Sequence, residues 1–267
     1  MPDQRSPGPL RRAWRRRAAC CVNGAGVDHR EIEAAIEAVV PGTGYRRIYP
    51  DLPGMGRSTA EGLTSNNDVV ALLSEFIDHL GTGPVMLVGH SYGAYLARGV
   101  AAQRPEGVLG LALLCPVAER SGSVPGHEVV DQDAGAYDAL EPAQRAGFED
   151  YFVVRTRATA RRYRDCVAPG AELVDEAALG RIFAGWTVDV GPAVFPAPTL
   201  IVAGRRDSVV GYADAAQLLE CYPHAALAVI EDAGHALMHE RPELLAALFA
   251  DWLDRARPEE GGAGPHA

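Results

Sequence analysis

The sequence predicts an α/β fold: a mostly parallel sheet with helices on both faces and an inserted helical segment. Three observations predict it. Short apolar runs of strand length alternate with stretches of helical periodicity along most of the chain. One run, Val85–Val88, leads straight into Gly89-His90-Ser91-Tyr92-Gly93 and a helical pattern. Residues 118–196 break the alternation, with several helical patterns and no long β-type run. The 267 residues, 48% of them apolar, suffice for one sizeable core with an inserted subdomain.

In order along the chain, residues 1–17 are rich in Pro, Gly and Arg and read as a poorly ordered N-terminus. Residues 18–22 form a buried strand that ends at the turn Asn23-Gly24-Ala25-Gly26. Asp28 with Glu31 resembles a capping box, and Ile32, Ala35, Ile36, Val39 and Val40 follow at helical spacing until Pro41-Gly42. Tyr45–Tyr49 is a short strand before the loop Asp51–Ser58. Val69, Leu72, Leu73, Phe76, Ile77 and Leu80 mark an amphipathic helix ended by Gly81. After strand Val85–Val88, a helix runs from Ser91 to about Gln103, and Val108–Cys115 is the next strand. Beyond the insertion come strand Thr199–Ala203, helix Ala213–Leu219, strand Leu227–Ile230 and a final helix Pro242–Arg255. The expected organisation is therefore a core of residues 18–117 and 197–256, a helical cap of 118–196 and a flexible tail of 257–267.

Composition excludes several functions. The net charge of −10 does not suit a nucleic-acid binder, although six arginines crowd the first 17 residues. No apolar run reaches the ~18–20 residues of a membrane span. All 25 basic residues are arginine, so a Walker-A lysine, a Schiff base and a Ser-Lys dyad are ruled out. The five cysteines are odd in number and form no C-x-x-C pair, which favours a reducing compartment over a disulfide framework or zinc knuckle. The apolar stretch after the arginines is too short for a signal peptide, and we expect a cytoplasmic protein.

The chemistry centres on Ser91. In G-x-S-x-G the glycines leave room where strand and helix nearly touch, and the serine Oγ is exposed on the sharp turn between them. The helix N-terminus behind it favours developing negative charge. The plain alternative is a serine N-cap on an ordinary helix.

Four motifs together resemble the α/β-hydrolase superfamily over about residues 18–255: the turn at Asn23–Gly26, the loop Asp51-Leu52-Pro53-Gly54-Met55-Gly56-Arg57-Ser58, the elbow at Ser91, and the pair Gly204-Arg205-Arg206-Asp207 and Gly234-His235. The resemblance implies a capped Ser-Asp-His enzyme. Ser91 would be the nucleophile, His235 the base and Asp207 the acid, with the backbone N–H groups of Ala25 and Tyr92 as the oxyanion hole. Asp214 and Asp232 are competing acids. Two departures stand out: Asn23 occupies a position where the family usually has His, and an Arg-rich stretch replaces the usual N-terminal hairpin.

The expected reaction is hydrolysis of an ester, lactone or related acyl bond of a small, largely apolar substrate, with no cofactor and no metal. Aromatic residues of the insertion, Tyr151, Phe152 and Trp186, are candidate substrate contacts, and Tyr137 and Phe148 add to the apolar character. The arginines at 155, 157, 161, 162 and 164 could bind a carboxylate or form a solvated helix face. Alternatives that keep the same triad are C–C bond hydrolysis and a biosynthetic acyltransferase or cyclase. A non-catalytic ligand-binding protein on a decayed hydrolase fold is the alternative outside the enzymes. Haloalkane dehalogenase and epoxide hydrolase chemistry is disfavoured, because those relatives carry Asp where this chain has Ser91.

Overall fold

A computed structural model describes residues 17–40, 42, 44–117, 123–190 and 194–257. The expectations for the N-terminus and the C-terminal tail fall almost wholly outside the described residues.

The sheet forms from β1 (Arg17–Val22), β2 (Tyr45–Ile48), β3 (Val85–His90), β4 (Val108–Leu114), β7 (Thr199–Gly204) and β8 (Ala225–Ile230). Between β4 and β7, two-residue strands β5 (Asp131–Gln132) and β6 (Val154–Arg155) pair with each other, a feature too short to leave a periodic signal in the sequence. The six long strands lie in the order β2-β1-β3-β4-β7-β8, every pairing parallel. A parallel sheet must be covered on both faces, and the strand sequences meet that need. Ala18, Cys20, Val22, Val85, Leu87, Leu111, Leu113, Ile201 and Ala203 bury one face, and the alternate residues Ala19, Cys21, Met86, Val88, Ala112, Leu114, Leu200 and Val202 bury the other.

On the first face pack α2 (Asn66–His79) and α3 (Tyr92–Gln103), through Val69, Val70, Leu73, Ile77, Leu96 and Val100. On the second pack α1 (His29–Val39) and the C-terminal α9 (Pro242–Arg255), through Ile32, Ile36, Leu245, Phe249 and Trp252. Trp252 also donates its indole N–H to the Pro198 carbonyl at 3.0 Å, so its polar atom is satisfied where the ring is buried. The expected helix after β7 is a 3₁₀ stretch, Ala213–Glu220.

The insertion builds α4 (Arg145–Tyr151), α5 (Arg157–Arg162), a widened π turn at Tyr163–Val167, α6 (Ala168–Ala171) and α7 (Glu176–Ala184). It divides into two parts. Ala178, Leu179 and Ile182 of α7 join the core around α2 and α3. Phe148, Phe152, Tyr163 and Val167 form a separate cluster with Val27 and Ala236 of the loops above the sheet. Polar ties fix both parts: Asn66 donates to the Trp186 carbonyl at 2.6 Å, Arg30 to the Pro169 carbonyl at 2.9 Å, and Arg162 to the Ala34 carbonyl at 3.2 Å. The insertion and the C-terminal ends of β1, β3 and β8 enclose the space described next.

Candidate active site

The strand-to-helix turn after β3 is as sharp as its glycines suggest. A Cβ at Gly89 would collide with the backbone of Gly93, and one at Gly93 with the carbonyls of Val22 and Asn23. Ser91, between them, takes φ 52° and ψ −116°, a region costly for any residue with a side chain. It caps α3 by position, but its hydroxyl makes no capping hydrogen bond, contrary to the plain N-cap alternative. The N–H of Tyr92 opens the first turn of α3, where no intrahelical acceptor exists.

Asp207 and His235 follow β7 and β8, adjacent parallel strands, which is why residues 28 apart in sequence meet. Asp207 Oδ2 lies 2.8 Å from His235 Nδ1, and Oδ1 accepts the backbone N–H groups of Val209 and Val210 at 2.9 and 3.0 Å. Asp207 is fully buried. Burial alone would push its carboxyl up, but the adjacent His235 and the two N–H groups outweigh it and hold the value below the usual carboxylate range. The competing acids lie elsewhere: Asp232 pairs with Arg241 at 3.2 Å, and Asp214 accepts from Gln217.

Ser91, His235 and Ala25 line one cavity of about 230 Å³, together with Tyr151 and Tyr163 of the insertion and Glu31 of α1. The Tyr151 ring stands edge-on to the His235 imidazole, centroids 6.0 Å apart. The other two aromatic candidates do not reach the cavity. Phe152 is fully buried against Phe148 and Tyr163. Trp186 packs on the Tyr95 and Tyr92 rings of α3, at 5.6 and 6.2 Å, and does not line the cavity. Neighbouring positions at the end of a helix point in different directions, so Tyr151 faces the cavity and Phe152 the core.

Four of the five arginines have partners outside the cavity: Arg155 donates to the carbonyls of Phe152 and Glu149, Arg157 pairs with Asp138, Arg162 donates to the Ala34 carbonyl, and Arg164 pairs with Asp165.

Asn23 braces the turn that carries Ala25. Its amide donates to the carbonyls of Gly24 and Val27 at 2.9 and 3.0 Å and approaches Met55 Sδ at 3.7 Å. The Asp51–Ser58 loop supports this from below. Asp51 accepts from His29, through both backbone and ring, and from the Arg57 N–H.

Two buried glutamates are part of the site although sequence reasoning missed their roles. Glu31 does not close a capping box: Asp28 caps α1 through the Arg30 N–H, while Glu31 turns toward the cavity. It accepts a hydrogen bond from the Tyr151 hydroxyl, and its Oε2 stands 3.5 Å from His90 Nδ1. Burial would raise the Glu31 carboxyl, but the charge of His90 and the Tyr151 hydroxyl bring it down, well below its ordinary value. Burial lowers His90 in turn, yet Glu31 outweighs that and the net shift is upward.

Glu240, on the short helix α8 (Leu237–Glu240), accepts three backbone N–H groups: Val153 at 2.8 Å, Val154 at 3.1 Å and Gly234 at 2.7 Å. It joins the insertion to the turn that carries His235. His239, read from sequence as a polar residue near the last helix, is buried against Phe152, and burial pushes its imidazole down to about 4.

Donor atoms of His90, Cys115 and His235 lie within 4.8 Å of one another, but the two imidazoles are engaged. His90 Nε2 meets the His235 carbonyl at 3.0 Å and His235 Nδ1 meets Asp207, while burial keeps the Cys115 thiol protonated.

Comparison with known proteins identifies the family. The alpha/beta hydrolase family model matches residues 21–248. Over 95 residues the chain is 41% identical to Lipase LipV of Mycobacterium tuberculosis, a match that spans 36% of this chain and 36% of that lipase. Over 220 residues it is 27% identical to (E)-2-((N-methylformamido)methylene)succinate hydrolase of Acinetobacter baylyi, covering 79% of this chain and 81% of that enzyme. The crystal structure of an alpha/beta superfamily hydrolase from Oenococcus oeni superimposes with a TM-score of 0.81 at 25% identity, over 90% of this chain and 92% of that one. In sheet order, elbow and family match alike, the chain belongs to the alpha/beta hydrolase family and is an enzyme of hydrolase type.

Proposed function

We propose that the protein is a serine hydrolase that cleaves an ester, lactone or related acyl bond of a small substrate. The observation that carries the reading is the Asp207–His235 hydrogen bond opening onto the same cavity as a strained, uncapped Ser91. In this reading His235 Nε2 takes the Ser91 proton as Oγ attacks the acyl carbon, and later returns it to the leaving group. Asp207 fixes the Nδ1–H tautomer and stabilises the imidazolium. The oxyanion is held by the N–H groups of Tyr92 and Ala25, each such donor contributing about 3–4 kcal/mol to the transition state. Residues 118–196 act as the cap that limits water and shapes the acyl site. The cavity is smaller than the ~300 Å³ lower end for drug-sized ligands, which favours a short acyl group.

The test is labelling with a fluorophosphonate, followed by turnover of methyl esters of short acids. Wild-type protein should be labelled at Ser91 and Ser91→Ala should not. A folded wild-type protein that takes no label and turns over no ester would sink the proposal.

A further inference from the structure

Ser91 and His235 share their cavity with four other polar side chains, and three of these are closed. Glu31 is buried and takes the proton of the Tyr151 hydroxyl, which engages both groups. His90 is buried and meets the His235 carbonyl through Nε2. Tyr163 is the fourth. Its hydroxyl has no hydrogen-bond partner among the described residues, and it is not among the polar atoms sealed from solvent, so a ligand can reach it.

The surroundings fix where that hydroxyl stands. The Tyr163 ring packs on Phe148 and Phe152, with centroids 5.8 and 6.3 Å apart. Its oxygen lies over Gly147: a Cβ at Gly147 would collide with it, so the glycine makes the seat that the hydroxyl occupies. Gly147 lines the same cavity, as do Tyr163 and Val167, the first and last residues of the π turn. Such turns recur at functional sites. Burial, with the charge of Asp150, raises the Tyr163 hydroxyl above its ordinary value, so the group is a neutral donor. The rest of the wall on this side is Val27, Val167, Ala171 and glycine.

We propose that Tyr163 is a substrate-binding residue: its hydroxyl donates a hydrogen bond to a keto, ether or hydroxyl oxygen on the acyl chain, and the wall around it takes the apolar remainder. The inference rests on the serine-hydrolase reading and narrows its substrate class to short acyl groups that carry one such oxygen. A bare alkyl chain strips water from the hydroxyl and returns nothing, whereas an acceptor restores the bond. A site that pairs a polar group of its substrate discriminates against the analogue that lacks it in this way.

The experiment follows two pairs of methyl esters by pH-stat: methyl butanoate with methyl 3-hydroxybutanoate, and methyl pentanoate with methyl 4-oxopentanoate. Each pair is measured in wild type and in Tyr163→Phe, so that differences in intrinsic ester reactivity cancel. Fluorophosphonate labelling of Ser91 is checked on every preparation. In at least one pair, the ratio of kcat/KM for the oxygenated ester to that for its parent should fall about three- to tenfold in Tyr163→Phe, the range of one neutral hydrogen bond. Gly147→Ala, whose Cβ takes the space of the hydroxyl, should lower the same ratio, and it serves as the test if Tyr163→Phe does not fold. Ratios unchanged in both pairs, in folded Tyr163→Phe or in the alanine variant standing in for it, overturn the inference. If Ser91 labels normally in that case, only the role of Tyr163 fails. If wild-type Ser91 takes no label and no ester is turned over, the serine-hydrolase reading fails and this inference with it.

Discussion

Glu240 offers the sharpest test of how the fold holds its site. One buried carboxylate accepts the N–H groups of Val153, Val154 and Gly234. Replacing it by alanine leaves three buried donors without their acceptor. Each such loss costs about 1–3 kcal/mol, and water admitted to the vacated space recovers part, so about 3–5 kcal/mol of stability should go. Against this stands the cost of burying the charge, which raises the Glu240 carboxyl above its ordinary value despite the three hydrogen bonds. Glu240→Gln separates the two contributions. It can keep the acceptor for Val153 and Val154, but it turns an NH2 toward the Gly234 N–H, so the loss should be about 1–2 kcal/mol.

The sign with pH follows. A carboxyl that is harder to ionise in the folded state binds its proton more tightly there, so its ionisation lowers stability as pH rises from about 4.5 through the raised value, and both variants should lose that slope. Urea denaturation at neutral pH and at pH 4–6 measures both effects, and fluorophosphonate labelling reports whether the His235 turn stays in place. An alanine variant within about 1 kcal/mol of wild type, labelling at the wild-type rate, would refute the claim that these hydrogen bonds hold the turn.

Three further outcomes are expected. Asp207→Asn should lower kcat by about 10³–10⁴-fold, because an amide does not hold the imidazole in the required tautomer, and unchanged ester turnover would move the acid elsewhere. Asn23→Ala removes the amide that bonds the Gly24 and Val27 carbonyls; kcat should fall about 10–100-fold with KM little changed, and a pure KM effect would show that the turn binds substrate rather than the oxyanion. The Glu31–His90 pair should be most stabilising between about pH 4.5 and 6.5, since the lowered carboxyl adds stability above its ordinary value and the raised imidazole below its own. The difference in unfolding free energy between wild type and Glu31→Gln should therefore shrink as pH falls below about 4.5 and again as it rises past the ordinary imidazole value of about 6.5, and a difference flat with pH would show that the pair is not ionised.

Much of the architecture was legible in the sequence because it rests on local pattern. The strand before Ser91 is a continuous apolar run, the glycines at 89 and 93 mark a close approach, and Asp207 and His235 each follow a strand of their own. What was not legible depends on long-range approach. Glu31 and Tyr151 are 120 residues apart, and Glu240 and Val153 are 87. Glu31, three residues after Asp28, matched a capping pattern that the structure does not use, because a carboxylate in the first turn of a helix serves a cap and an inward-facing site equally well by spacing. The aromatics of the insertion failed for a related reason. Core and pocket both select large rings, so composition alone did not separate Tyr151 from Phe152 and Trp186.

Ser91 has a consequence for the way such a protein can evolve. Its positive φ is imposed by packing between β3 and α3, and it persists whatever the side chain. Glycine would relieve that conformation and loses no capping bond, since the Ser91 hydroxyl makes none. Ser91→Gly should therefore be more stable than wild type by about 1 kcal/mol while losing the nucleophile. Drift toward robustness and retention of chemistry thus pull in opposite directions at this one codon, and a lineage that no longer needed the reaction would gain stability by discarding it.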